Sequence, residues 1–154
     1  YSKALGGGAL LDLGVYPLSV GQYLVGDIAE VSAQTRLGPG GVDVLSTINA
    51  RFANGALGQL ACGFVGEVER TAEVRGDSGV IRITPPFNCP TSFEVESAGR
   101  VERVEEEPAG QGYAHQVEEV QRCLGLGLTE SPAMPLDHSL ATARILEDLV
   151  RCAV

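Results

Sequence analysis

Positive charge is scarce in this sequence. Its 154 residues include 11 Lys and Arg against 20 Asp and Glu, which gives a formal net charge of −9. The few basic residues form no cluster. Proteins that bind nucleic acid neutralise phosphates with grouped Lys and Arg side chains. We therefore expect no nucleic-acid partner.

Long apolar runs are also missing. A membrane-spanning helix needs about 20 consecutive apolar residues, and the longest candidate run is interrupted by Asp12, Pro17 and Gln22. The opening YSKALGGG has neither the basic nor the apolar region of a signal peptide. We expect a soluble protein with no membrane partner. The sequence does not begin with Met, so we also expect it to be a piece of a longer protein.

Metal-binding residues are few and scattered. The four cysteines, at positions 62, 89, 123 and 152, form no Cys-x-x-Cys pair, and the only histidines are His115 and His138. Because structural metal sites usually place two ligands close together in sequence, we predict no metal site. Reduced, unpaired thiols are typical of proteins in a reducing compartment. We therefore expect a cytoplasmic protein.

A dinucleotide-binding fingerprint is absent, although the chain has 20 glycines. The fingerprint requires GxGxxG at a turn from a strand to a helix. The glycines at Gly6–Gly8 and Gly125–Gly127 do not fit, because Leu11 and Glu130 occupy the third glycine positions. We do not expect this chain to carry the cofactor fold. The first glycine run is expected to allow a close backbone approach or unusual dihedral angles where a helix begins.

The segment Gly6–Gly26, GGGALLDLGVYPLSVGQYLVG, places groups capable of chemistry inside an apolar run. If residues 9–25 are helical, side chains four positions apart share a face. The polar members of one face are Asp12, Tyr16, Ser19 and Tyr23. Pro17 removes a helical hydrogen bond and disfavours helical geometry in the preceding residue. We therefore predict a kink beside the pair formed by Asp12 and Tyr16.

The rest of the chain has the pattern of strands followed by helices. Predicted strands cover residues 30–37, 42–52, 56–65, 69–75, 80–84, 92–97 and 100–104. Helices are predicted over about 113–124 and after Pro135, from the helical spacing of apolar residues. This order predicts an α+β fold with an open, largely antiparallel or mixed sheet of about six strands. Helices would pack on one face, and the other face would be free for dimerisation.

Several motifs resemble one protein family. GGGALLDLGVY, residues 6–16, resembles the GGGxLxDxGxY segment that opens the C-terminal domain of the Gfo/Idh/MocA oxidoreductases. FANGALGQL (52–60) and VRGDSGVIRI (74–83) resemble its strand pairs. GYAHQVEEVQRCL (112–124) and SPAMPLDHSLATARILEDLV (131–150) resemble its closing helices, with Gln116 where an acidic residue is frequent. The resemblance covers nearly the whole chain, and the first motif is its most specific part.

This resemblance implies a place in a two-domain enzyme. Residues 1–154 would be the C-terminal substrate-binding and oligomerisation domain of an NAD(P)-dependent oxidoreductase. The enzyme would form a homodimer through the sheet face of this domain. The enzyme would transfer a hydride between the nicotinamide cofactor and a sugar or vicinal diol. NAD(P) would be bound mainly by a Rossmann domain absent from this chain. No cofactor-binding residue is therefore predicted here, and the fragment alone would be inactive.

The resemblance also implies roles for two residues. Tyr16 would be the acid/base on the substrate hydroxyl, and Asp12 would bind or orient the substrate. Many members carry His in place of this Tyr, and Tyr is typical of a subgroup of sugar and dihydrodiol dehydrogenases. A phenol has a pKa of about 10 and needs nearby positive charge, which the family supplies from a lysine outside this chain.

Two alternatives stay open. The whole chain could be a non-catalytic dimeric interaction module of the same fold. Asp12 and Tyr16 could equally belong to a buried helix, with the carboxylate satisfied by backbone donors and the phenol in the core.

Overall fold

The computed structural model describes residues 2–66, 69–107, 110 and 112–152. The N-terminal part contains a short 3-10 helix, Lys3–Leu5, and a π-helical turn, Leu10–Gly14, that leads into α1, Val15–Val25. The other helices are α2, Ala114–Gly125, and α3, Leu136–Cys152. The strands are β1 (Ile28–Leu37), β2 (Asp43–Phe52), β3 (Leu57–Gly63), β4 (Ala72–Gly76), β5 (Gly79–Ile83), β6 (Ser92–Ser97) and β7 (Arg100–Glu105).

These elements group into two compact units. The first contains residues 1–67 and 137–154, and the second contains residues 68–136. Each unit has its own antiparallel sheet, with strand order β1-β2-β3 in the first and β4-β5-β6-β7 in the second. The α+β class and the antiparallel pairing are thus confirmed, and the strands lie in two sheets.

The first sheet is apolar on one face and polar on the other. β2 alternates strictly from Ser46 to Phe52, with every second residue buried. Because a residue and its cross-strand partner lie on the same face, Ile48 is aligned with Ala33 and Leu60 on the inner face. Asn49, aligned with Ser32 and Gln59, lies on the exposed face. This alternation is the one predicted for a half-buried sheet.

The core of the first unit lies on the inner face of this sheet. Helical residues and two sheet residues form it together: Ala9, Leu10, Leu18, Ile48, Cys62, Leu146 and Leu149. Gly14 is buried where these elements meet, since a Cβ at this position would lie 3.4 Å from Cys62 Sγ and 3.5 Å from Leu146 Cδ2. The prediction that helices pack on one face is confirmed for this unit.

Asn54 and Gly55 make the predicted hairpin turn between β2 and β3. Gly55 has a φ of 88°, a value that glycine adopts without steric cost. The Asn54 side chain accepts a hydrogen bond from Ala56 N at 3.0 Å and donates one to Val25 O at 2.9 Å. The turn therefore also holds the last residue of α1.

The second sheet carries its cross-strand ion pairs on one face. Ile81 and its partners Val74 and Val95 occupy one face. On the opposite face, a ladder of ion pairs joins Glu73 to Arg82, Arg82 to Glu96, and Arg103 to Glu94. Opposite charges on neighbouring strands support the pairing and the register.

None of the described helices is long and apolar enough to cross a membrane.

Candidate active site

The helical segment from residue 9 to residue 25 changes geometry between the two candidate residues. Asp12 lies in the π-helical turn, and Tyr16 lies in the first turn of α1. Pro17 follows inside this continuous helical segment, where it lacks the N–H that would bond to a carbonyl of the preceding turn. The kink predicted beside the pair stays a prediction, and what the structure shows there is a π-helical turn, Leu10–Gly14, before the proline. Such turns are frequent at functional sites.

Opposite sides of this segment have opposite environments. Leu10, Gly14, Leu18 and Gln22, spaced four apart, are all buried. Asp12, Tyr16 and Tyr23 are exposed, and the exposed fraction of Tyr16 is 46%. Ser19 is half-buried. The alternative in which Asp12 and Tyr16 are core residues does not describe this fold.

The carboxylate of Asp12 and the hydroxyl of Tyr16 are both available for a ligand. Among the described residues, neither group takes part in a hydrogen bond or an ion pair with another side chain. A carboxylate can accept hydrogen bonds from hydroxyl groups, and a phenol can either donate or accept a proton. Side by side on one helix, they could bind a polyol and exchange a proton with it.

Buried polar contacts hold the far end of this helix. Gln22 is 3% exposed, and its Oε1 accepts a hydrogen bond of 2.6 Å from the hydroxyl of Thr142 on α3. Buried polar groups are stable when they are paired in this way. The contact fixes the rotation of α1 about its axis, because it tethers the inward stripe to one position on α3.

A second acidic residue lies where the helical segment begins. Asp43, the first residue of β2, is 6% exposed, and its Oδ2 accepts a hydrogen bond of 2.6 Å from Leu10 N. Sequence reasoning missed this residue. One signal was available, because Asp43 is the only charged residue between Arg36 and Arg51.

Asp43 also affects Cys62 on the neighbouring strand. Burial raises the pKa of the Cys62 thiol to about 11, and the Asp43 carboxylate adds to this increase. A thiol with so high a pKa stays protonated at neutral pH and is a poor nucleophile. Cys62 is therefore a core residue in the described fold.

The glycine run before the helix does not form a phosphate site. Gly6 and Gly8 have φ values of 69° and 146°, as the prediction of unusual dihedral angles requires. A Cβ on Gly8 would lie 2.1 Å from Asp43 Oδ1, so a carboxylate fills the space beside this glycine. A carboxylate there would repel a phosphate. The residues present thus do not fit a dinucleotide.

Other features of the described residues do not compete for this role. No group of three His, Cys, Asp or Glu side chains is placed to hold a metal ion within the described part of the chain. A groove of about 430 Å³ in the second unit is lined by Thr91, Ser92, Arg103, Glu105, Glu106 and Glu107. Its lining includes neither Asp12 nor Tyr16.

Comparison with characterised proteins agrees with this architecture. Trans-1,2-dihydrobenzene-1,2-diol dehydrogenase from Macaca fascicularis is 31% identical over 156 residues, which is 96% of this chain and 47% of that protein. The human enzyme of the same name is 29% identical over 96% of this chain and 46% of its own length. The chain thus spans about half the length of the curated relatives it matches.

Solved structures show the same fold. An aldose-aldose oxidoreductase from Caulobacter crescentus, complexed with glycerol, matches 96% of this chain and 46% of its own, with a TM-score of 0.80 and 23% identity. A 3-ketoreductase from Actinomadura kijaniata, in complex with NADP and TDP-benzene, matches 96% of this chain and 46% of its own, with a TM-score of 0.76 and 27% identity. The profile of the GFO/IDH/MocA C-terminal domain matches residues 1–82, and the chain therefore belongs to this family.

Proposed function

We propose that residues 1–154 form the substrate-binding and oligomerisation domain of an NAD(P)-dependent oxidoreductase that acts on a sugar or vicinal diol. In this proposal Tyr16 is the acid/base and Asp12 binds the substrate. The observation that carries it is the exposure of both side chains on a helix whose opposite side is core.

Residues of this chain would accept and return the proton of the substrate hydroxyl. When an alcohol is oxidised by hydride loss from carbon, a proton must leave its oxygen, and a positioned side chain can accept it. The phenolate form of Tyr16 would accept this proton, and the neutral phenol would return it in the reverse reaction. A nicotinamide held by a domain outside this chain would accept or supply the hydride. Asp12 would hold the reacting hydroxyl, or its neighbour, within hydrogen-bonding distance of the Tyr16 oxygen.

The names of the relatives support the substrate class. The curated relatives above act on a dihydrodiol, and the Caulobacter enzyme is an aldose-aldose oxidoreductase complexed with glycerol. Adjacent hydroxyl groups are common to all of these molecules. A carboxylate next to a phenol suits such a ligand, because each can engage one of two neighbouring hydroxyls.

We further propose a cytoplasmic homodimer formed through the exposed face of the first sheet. On that face, Asn49 and Thr47 of the central strand have polar or small cross-strand neighbours. No described helix covers them, since all three residues of the Ser32, Asn49 and Gln59 rung are exposed. The cytoplasmic location is supported by the four cysteines, which form no disulfide.

Replacing Tyr16 by Phe in the intact protein tests the proposed function. The ring and its contacts would remain, and only the ionisable oxygen would be lost. General acid–base catalysis contributes about 10²- to 10⁴-fold, so kcat should fall by roughly that factor while the cofactor Kd is unchanged. Turnover would be measured with NAD⁺ and NADP⁺ on a panel of aldoses and trans-dihydrodiols.

Tyr23→Phe is the matched control, because Tyr23 is on the same side of the helix and its side chain is 71% exposed. This variant should keep the wild-type kcat. If Tyr16→Phe also keeps it across about pH 6 to 10, where a general base would titrate, Tyr16 has no acid/base role. A wild-type protein that turns over no member of the panel with either cofactor would favour the non-catalytic dimeric module.

A further inference from the structure

Asp43 is a buried carboxylate without a cationic partner among the described residues. It is 6% exposed, and it forms no ion pair with any Arg or His whose side chain the structure describes. Burying an unpaired charge is costly unless hydrogen bonds or dipoles compensate for it. The compensation visible here is the Leu10 N–H, 2.6 Å from Oδ2, at the N-terminal end of a helical segment. Free N–H groups and the helix dipole favour negative charge at such an end.

The other carboxylate oxygen of Asp43 lies beside the glycine run. Its Oδ1 occupies the space that a side chain on residue 8 would need, since a Cβ there would lie only 2.1 Å away. Gly8 has a φ of 146°, so glycine is favoured at this position for its backbone conformation as well. Asp43 thus lies between the glycine run and the first turn of the helix.

The turn that Asp43 anchors is the turn that carries the proposed site. Leu10 is the first residue of the π-helical turn, Asp12 is its third, and Tyr16 follows in the next turn. A π turn is rare and has poorer geometry than an α-helix, so neighbouring contacts must stabilise it. Neither Asp12 nor Tyr16 has a side-chain hydrogen bond of its own among the described residues. Their positions therefore depend on how the backbone is held.

We infer that Asp43 is a positioning residue for the proposed active site, one that sets the placement of Asp12 and Tyr16 by fixing the backbone at Leu10. This inference rests on the proposed function for its catalytic consequence. Its structural step, the anchoring of residues 8–16 by a carboxylate from β2, is independent of any reaction. The Gln22 to Thr142 hydrogen bond holds the other end of the same helix, so the segment is fixed at both ends.

The test uses the intact protein and three variants. Asp43→Ala removes the acceptor and the charge, while Asp43→Asn keeps an acceptor and loses the charge. Ile48→Val is the matched control: Ile48 is 1% exposed on the same strand, so its truncation loosens the core without touching the Leu10 hydrogen bond. Hydrogen–deuterium exchange of peptides covering residues 8–16 reports anchoring, and kcat, KM and cofactor Kd report its consequence.

We expect Asp43→Ala to accelerate amide exchange in residues 8–16 by about 10-fold or more, because local opening no longer breaks a charged hydrogen bond. Its kcat should fall by roughly 10- to 100-fold with the cofactor Kd unchanged, as expected for a displaced catalytic group. Asp43→Asn should show smaller changes of both kinds. Ile48→Val should show neither, apart from a lower overall stability.

Two outcomes would overturn the inference. One is unchanged exchange in residues 8–16, and the other is faster exchange with a kcat no lower than that of Ile48→Val. If Asp43→Ala does not fold, the test relies on Asp43→Asn. Amide exchange in residues 8–16 of Asp43→Asn that is no faster than in Ile48→Val would then count against anchoring by Asp43. Failure of the proposed function would be visible separately as a wild-type protein without turnover, and the exchange data would still accept or reject the anchor.

Discussion

Asp12 and Tyr16 differ in what each can contribute from the same exposed side of a helix. A carboxylate accepts hydrogen bonds, so Asp12 can hold the hydroxyl groups of a ligand. A phenol can exchange a proton with a substrate oxygen. Because the two residues are four positions apart across the change from π to α geometry, their relative placement depends on that turn.

Asp12→Asn keeps the size and one acceptor oxygen and removes the charge, so the substrate should be held less firmly. We expect KM to rise and kcat to fall together, because misplacement affects binding as well as the reactive geometry. Steady-state kinetics on the preferred substrate would measure both constants.

Asp27→Asn is a suitable control, since Asp27 is exposed just after the same helix. Its KM and kcat should match those of the wild type. A kcat and a KM equal to those of the wild type in Asp12→Asn would remove Asp12 from the site.

At the scale of elements, the Glu119 carboxylate joins α2 to Ser131 in the loop that follows it. Glu119 accepts hydrogen bonds from Arg122 at 2.7 and 2.8 Å and from the Ser131 hydroxyl at 2.5 Å. These donors favour the ionised form, and they hold the pKa of Glu119 at about 2. The sequence shows Glu119 and Arg122 three apart, as for any helical ion pair, but gives no sign of Ser131.

This contact predicts an acid-dependent loss of stability in α2. The folded-state pKa of Glu119 is lowered from 4.5 to about 2, so the unfolded chain binds the proton more readily. The contribution is therefore complete above about pH 4.5 and is lost as the pH falls towards about 2. The free energy of unfolding would be measured with urea across this pH range, with amide exchange in α2 as the local probe. It should decline more steeply with falling pH for the wild type than for Glu119→Gln.

Glu102→Gln serves as the control for this comparison, because Glu102 is exposed on β7 and has no ion-pair partner among the described residues. Its decline should parallel that of the wild type. Parallel curves for wild type and Glu119→Gln would mean that the hydrogen bonds of Glu119 add nothing to stability.

At the scale of the whole molecule, the exposed face of the first sheet is the proposed dimer interface. Helices cover its inner face, while the outer face shows small and uncharged side chains at its centre, with the Glu30 and Arg51 ion pair among the nearest charges. The outer face of a sheet usually either carries strongly polar residues and is solvated, or packs against another layer of protein. A second copy on this face would complete the layer.

We predict that the intact protein is a dimer at micromolar concentration and that Asn49→Arg weakens it. Asn49 is exposed on the central strand, so two symmetry-related copies would place like charges close together, which costs several kcal/mol at an interface. Sedimentation velocity should show a shift towards monomer. The interface should bury more than about 1,000 Å² in total.

Ala143→Arg adds the same charge at an exposed position on α3 and should leave the dimer intact. A monomeric wild type, or equal dissociation in both variants, would rule out this face as the interface.

Local patterns in the sequence were sufficient for much of the structure. The first strand was predicted from alternation and the other six from the turn residues between them, and the Asn54-Gly55 and Ala98-Gly99 turns were correctly placed. The helical segment with its polar stripe and the family were also predicted correctly. Each of these features depends on residues within a few positions of one another, and that is the range over which periodicity and turn chemistry act.

Only the tertiary structure decided which side of the helix is buried and what holds it. The Asp43 to Leu10 hydrogen bond joins residues 33 positions apart, and the Gln22 to Thr142 bond joins residues 120 positions apart. No local pattern specifies such pairs, because they depend on how separate elements pack. The sequence of Asp12 and Tyr16 is the same whether these residues face a core or solvent. In the structure they are exposed, because Leu10, Gly14 and Leu18 on the other side of the helix pack on the sheet.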